Sequence, residues 1–250
     1  GWHAQETALD YESERLVSAV TNAQYAAYLN EALAAGIVQM EGDVVSGYYA
    51  GDAFHGHDHE EEIAAGEWPH LSLADEFLRM TYDGNEFSAR AGYENHPATL
   101  VTWFGAQAYC EFYEWRLPGG AEWEKAARGT DGRPYPWGPD IESGNANYYS
   151  SHDPFEAVAG SLGDTTPVGF YNGHTYDGYQ TLDSASPYGL YDIAGNVWQW
   201  TGDVHEGTHL RVMRGGSKND YAHDLRTWSM NSARPDHSGV NIGFRCVREP

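Results

Sequence analysis

The stretch at 186–203, SPYGLYDIAGNVWQWTGD, decides how this chain reads. It mixes Gly, Asp, Asn, Tyr and Trp and has no Lys, Arg or Glu, a pattern that suits neither an amphipathic helix nor an alternating strand. Within it, the run from Asp192 through Gly195, Asn196 and Val197 to Gln199 sets oxygen donors close to flexible glycine backbone, with Trp198 and Trp200 flanking Gln199. Such a loop can fold around a hard cation, using a carboxylate, an amide and main-chain carbonyls as ligands, with the indoles packed beneath. The plainer reading has Asp192 and Asn196 capping turns through their own backbone.

Outward from this stretch the chain alternates short regular elements with long irregular ones. Thr21 and Gln24 form a capping box, followed by Tyr25, Tyr28, Leu29 and Leu33 at helical spacing, with Gly36 as the stop. Residues 37–54 read as a hairpin. Thr102 caps a second helix whose apolar face takes in Phe104, Ala108, Cys110 and Phe112, and a third, short helix ends at Gly129. Glu122, Trp123 and Arg128 are expected to cluster there as an ion-pair and packing group. From 130 to 190 almost no regular pattern appears, and so long an irregular stretch needs something besides ladder hydrogen bonds to hold it, for which bound ions are the expectation. Strands are expected at 209–217 and 241–248.

Composition narrows the function classes. Among 250 residues there are 37 acidic and 14 basic ones, a formal charge of -23. That argues against nucleic acid, whose phosphates are bound by Lys and Arg, and fits a cation-rich or saline extracellular setting where self-repulsion is screened. With a mean hydropathy of -0.61, no apolar run approaches the roughly 20 residues of a membrane span. The two cysteines, Cys110 and Cys246, read as free core thiols, a reactive pair, or a disulfide closing a long loop. His55, His57 and His59 would share one face of an extended strand and, with Glu60–Glu62, could take a transition metal, Zn²⁺, Cu²⁺ or Ni²⁺; the plainer reading is a solvated acidic loop. Residues 1–15 read as a flexible N-terminal segment ahead of one domain, in a single unit over 1–250.

The segment GLYDIAGNVWQW at 189–200 resembles the GLYDMAGNVWEW signature of the formylglycine-generating enzyme (sulfatase-modifying factor) family. Further segments agree in order: VTNAQYAAYLN at 20–30, AYCEFYEWRLPGGAEWEKAARG at 108–129, YPWG at 135–138, TTPVG at 165–169, RVMRGGS at 211–217 and NIGFRCV at 241–247. The resemblance spans nearly the whole chain. It implies an α+β fold poor in regular structure, the formylglycine-generating-enzyme variant of the C-type lectin fold. It also implies a Cys110–Cys246 disulfide and therefore a secreted, periplasmic or extracellular location. One or two Ca²⁺ sites follow from it: Asn147, Tyr148, Asp153 (or Asp164) and Phe155 for the first, and Asp192, Gly195, Val197 and Gln199 for the second. Gln199 stands where the family has Glu, which removes a charge and weakens the second site.

The departure from the family lies after Arg214–Ser217. Its enzymes carry two cysteines five residues apart there, binding copper as thiolates, and those positions fall on Asp220 and Leu225. Without sulfur a soft Cu(I) site is lost. What the segment offers instead is Asn219, Asp220, Tyr221, His223, Arg226, Trp228, Asn231 and Arg234, a composition suited to binding a protein, peptide or carbohydrate. The expectation is a calcium-stabilised, non-catalytic binding or assembly module. The alternatives are an oxidase with a histidine-based copper or iron centre, and a structural subunit of an extracellular assembly.

Overall fold

The computed structural model describes residues 15–16, 18–52, 62–156 and 163–248. The capping box at Thr21 forms as the sequence predicts: the Thr21 hydroxyl accepts from Gln24 N, and Gln24 Oε1 accepts from Thr21 N at 2.9 Å. It starts α1 (Asn22–Ala34), which ends ahead of Gly36 at φ +70°. In α2 (Trp103–Phe112) the Thr102 hydroxyl accepts from Gly105 N and donates to Pro69 O at 2.6 Å, capping the helix and tying it to the neighbouring strand. The third helix, α3 (Gly120–Arg128), is N-capped at Gly119, whose N–H donates to the Glu122 carboxylate.

The described residues also form thirteen short strands: β1 (Arg15–Leu16), β2 (Val38–Glu41), β3 (Val44–Tyr49), β4 (Gly66–Ser72), β5 (Met80–Tyr82), β6 (Phe87–Ala89), β7 (Thr175–Tyr176), β8 (Tyr179–Gln180), β9 (Trp198–Val204), β10 (Arg211–Arg214), β11 (Met230–Ala233), β12 (Ile242–Phe244) and β13 (Val247–Arg248). Two sheets matter most. One has the order β2-β3-β4; the other, β11-β10-β9-β12, is antiparallel except that β12 runs parallel to β9. The last third of the opening stretch, 198–203, is thus part of a central strand, which corrects the expectation that it would not be one. Trp198, Gln199, Trp200 and Thr201 are all buried, so no inside–outside alternation exists for a pattern to reveal.

The core is aromatic. Tyr28 of α1 meets Tyr109 and Phe112 of α2 edge-on at 5.2 and 5.3 Å, and Tyr109 meets Phe244 of β12 at 5.4 Å. Beside these rings Cys110 and Cys246, both fully buried, form the disulfide, with Cα atoms 5.7 Å apart. It joins α2 to the turn between β12 and β13.

Between 130 and 190 the described residues form only β7 and β8, in keeping with the irregular stretch expected there. Side-chain amides and hydroxyls carry much of that region. The Asn196 side chain pairs with both Thr166 N and Thr166 O, Asn145 donates to Ser184 Oγ, and Asn147 donates to Asp164 O. The helix α3 cluster also differs from expectation. Glu122 takes a two-pronged pair from Arg116, Arg128 pairs with Glu124, and Trp123 turns inward. Glu122 and Arg128 are opposite in charge and near in sequence, but they are six residues apart rather than three or four, and each takes a different partner.

Candidate binding face and cation loop

The segment after β10 is where the chemistry of an enzyme would be expected. Asp220, at the first of the two thiolate positions, is tied into a turn: its carboxylate accepts from Ser217 N at 3.0 Å and from the Ser217 hydroxyl, which also accepts from Asn241 at 2.9 Å. Its carbonyl accepts from Tyr149 N. Leu225, at the second position, is fully buried in a small apolar cluster with Tyr135, Ala146 and Ala194. A polar turn and an apolar plug therefore fill the place. The chain's two cysteines are both in the disulfide, so no thiol is left to bind a soft metal.

The rest of the segment faces solvent. Tyr221 is 60% exposed and Trp228 47%, and the sequence alternates them with buried anchors at Leu225 and Thr227. Thr227 N donates to Pro134 O and its hydroxyl to Arg133 O, while Arg214 donates to the carbonyls of Trp228 and Ser229 from below. Tyr221 lies 6.2 Å from His223 with ring planes only 11° apart, and Tyr149 meets Tyr221 edge-on at 5.0 Å. Arg226 sits 5.9 Å from the Trp228 ring. His223 Nε2 is 3.1 Å from Asp224 Oδ1 at an exposed position.

The structure thus gathers Tyr221, His223, Arg226, Trp228, Asn231 and Arg234 on the outside, whereas Asn219 and Asp220 belong to the turn beneath. Asn231 Oδ1 accepts from Ser232 N on the edge strand, and Arg234 is held by Asp236 at 3.1 Å. Sequence reasoning missed Tyr149, whose place beside Tyr221 depends on a contact between residues 72 positions apart. It also missed Arg214, whose role under the face shows only in three dimensions.

The cation loop is built around Gly195, at φ +80°, where a Cβ would come within 2.5 Å of Asn147 O. Only glycine fits so close a backbone approach. Asp192 also has a positive φ, +54°. Its carboxylate accepts one backbone bond, from Gly169 N at 2.5 Å, and desolvation holds its pKa above the usual carboxylate range. The carboxylate has the chemistry of a hard-cation ligand, while the Gly195 carbonyl of the same expected set accepts from Val197 N at 2.8 Å. Gln199 is placed differently. Its Oε1 accepts from Trp123 Nε1 at 2.8 Å and Arg245 Nε at 2.7 Å, and its Nε2 donates to Asp192 O. Here the amide serves as the hub of a buried network that shapes the loop from below.

In the other proposed set, Asp153 accepts from the Ser151 and Tyr171 hydroxyls and from Phe155 N and Glu156 N, and Asp164 accepts from Arg79 and Tyr93. Asn147 and Tyr148 lie alongside. A cation there would have to displace donors already in place. Among the described residues no three His, Cys, Asp or Glu side chains converge as a ligand set. His55, His57 and His59 lie outside the described residues. No described helix is long and apolar enough to cross a membrane.

Comparison with known proteins fixes the class. Two solved structures share the fold: CarF, with a TM-score of 0.56 and 22% identity over 95% of this chain and 86% of that one, and PvdO from Pseudomonas aeruginosa, with a TM-score of 0.51 and 20% identity over 86% and 98%. Together with the sparse helices and mixed sheets, they define an α+β protein of the formylglycine-generating-enzyme type within the C-type lectin fold. Residues 17–250 match the profile of the sulfatase-modifying factor enzyme 1-like domain, and the chain belongs to that family.

Two curated relatives illustrate the range. The inactive Cα-formylglycine-generating enzyme 2 of Mus musculus is 36% identical over 159 residues, 60% of this chain and 48% of that protein. The formylglycine-generating enzyme of Streptomyces coelicolor is 35% identical over 185 residues, 63% and 54%. The chain spans about half the length of these relatives.

Proposed function

We propose that this chain is a secreted, calcium-stabilised binding module of the formylglycine-generating-enzyme type, without the family's oxidase chemistry. One observation carries the reading: a hydrogen-bonded Asp220 and a buried Leu225 stand at the two thiolate positions, and the chain's two cysteines are locked together elsewhere. A thiolate copper centre has no ligands to use. The name of the mouse relative, an inactive enzyme, is consistent with this reading. The buried disulfide supports an oxidising compartment, and the exposed aromatic row on a hydrogen-bonded scaffold supports recognition rather than turnover.

Supplied with copper, oxygen and a cysteine-containing substrate peptide, the protein is expected to take up no oxygen above the buffer control and to leave the peptide mass unchanged. Oxygen uptake coupled to peptide conversion would overturn the proposal, and loading with iron instead of copper tests the histidine-based alternative by the same readout.

Calcium is assigned to the loop of Asp192, Gly195 and Val197, with Gln199 supporting it from beneath. A second ion at Asn147, Tyr148, Asp153 and Phe155 would require Asp153 to give up its present donors. An ion bound only by the folded chain stabilises it by about 2.7 kcal/mol at 100-fold excess over its Kd. Chelation with EDTA is therefore expected to lower Tm by several degrees, with recovery on calcium addition, and calorimetric titration to count one strong site. A transition unmoved by EDTA would remove calcium from the account.

A further inference from the structure

The charge of this chain is unevenly distributed. Residues 207–250 hold seven of the 14 Lys and Arg but only four of the 37 Asp and Glu. Four of those cations, Arg211, Arg214, Lys218 and Arg245, are buried, so the count describes the segment and not its surface. Most of its cations are committed: Arg211 to Asp52, Arg214 to Glu124, Arg234 to Asp236, and Arg245 to Gln199. Arg226 is exposed and, among the described residues, makes no ion pair or side-chain hydrogen bond; its guanidinium lies beside Trp228. A free guanidinium next to exposed ring faces offers a two-pronged carboxylate contact and flat apolar surface together.

The edge strand decides between two kinds of anionic ligand. An extended acidic peptide would be expected to add to the free edge of β11, using its outward N–H groups. Asn231 already accepts from Ser232 N at 2.8 Å, closing that donor with its own side chain. Recognition at this face therefore falls to side chains, to ring planes and one cation.

Building on the binding-module reading, we infer that this face binds an acidic saccharide: a chain of pyranose rings bearing carboxylates. The apolar faces of the sugar rings rest on Tyr221 and Trp228, and a uronate carboxylate pairs with Arg226. Tyr149, edge-on to Tyr221, fixes the angle of that ring. The near-parallel His223 ring extends the platform.

The test is isothermal titration of the full chain with oligogalacturonides, with their methyl esters as uncharged counterparts. Binding is expected for the acid form and at least tenfold weaker for the ester. Arg226→Gln and Trp228→Ala are each expected to weaken binding about tenfold, with Tm within a degree or two of the parent because neither side chain is part of the core. Absence of binding to the acid form, or binding that both variants leave unchanged, would overturn the inference. So would capture of an acidic peptide or a neutral oligosaccharide in place of the uronate, although loss of that capture in Trp228→Ala would leave the binding-module reading standing. That reading itself falls on the separate oxygen-uptake assay.

Discussion

Replacing both Cys110 and Cys246 by alanine is expected to lower the unfolding free energy by about 5 kcal/mol, the loop-closure value for a cross-link spanning more than 100 residues. The sulfurs join positions 136 residues apart, so cutting the link frees a large part of the unfolded chain. The effect is felt where α2, Tyr109 and Phe244 meet, because the disulfide pins the β12–β13 turn onto that helix. Two buried side chains are also shortened, which adds a smaller packing loss. Urea unfolding of the double variant and the parent at neutral pH gives the difference. A change under 1 kcal/mol would mean that the long loop is held closed in the unfolded ensemble by something other than this bond.

The second large effect is a loss of stability in acid centred on His70. Its side chain is 2% exposed on β4, packed against Gly47 of β3 and Gly105 of α2; a Cβ at Gly47 would approach His70 Cε1 to 2.6 Å. Its Nδ1 has no hydrogen-bond partner, and burial pushes the imidazole down to about 4 from 6.5. In the unfolded chain the ring takes up a proton near pH 6.5, while the folded ring resists until about 4. Stability from this residue is complete above the unfolded value and is lost as pH falls through that window, in total about 3 kcal/mol. His96, also lowered chiefly by burial, adds to the same slope. Urea midpoints measured at pH 7, 5.5 and 4.5 are expected to fall less steeply for His70→Gln than for the parent. Equal slopes would assign the acid loss to carboxylates such as Asp52 or Glu122, whose pKa values are lowered in the folded state against the opposing effect of burial, Asp52 by Tyr49 and then Arg211 and Glu122 by Arg116.

Much of this architecture could be read from the residues because its signals are local. The Thr21–Gln24 capping box, the Thr102 cap and Gly129 mark helix ends through contacts within a few residues, and each is where the sequence placed it. The strand at Trp198–Val204 was not legible, since a strand buried on both faces leaves no alternation. Gln199 illustrates a second limit. Its position within the signature suggested a cation ligand, but its amide is claimed by Trp123 and Arg245, residues 76 and 46 positions away. The exposed row from Tyr221 to Arg234 was readable as a set by its composition. Its separation from the turn residues Asn219 and Asp220 was not, because that depends on Ser217 and Asn241 closing the turn.

The anchoring of that row has a consequence for how the protein can change. Leu225, Thr227 and Pro235 are buried, and Thr227 is bonded to Arg133 and Pro134, while Tyr221, Arg226, Trp228 and Asn231 between them bear little on the core. Substitutions at such exposed positions usually shift stability by no more than about 0.5 kcal/mol. On the proposed binding-module reading, specificity and foldedness are then written in interleaved but separate letters of one segment, so a lineage carrying this scaffold could exchange its ligand through a handful of codons while the letters between them keep the chain folded.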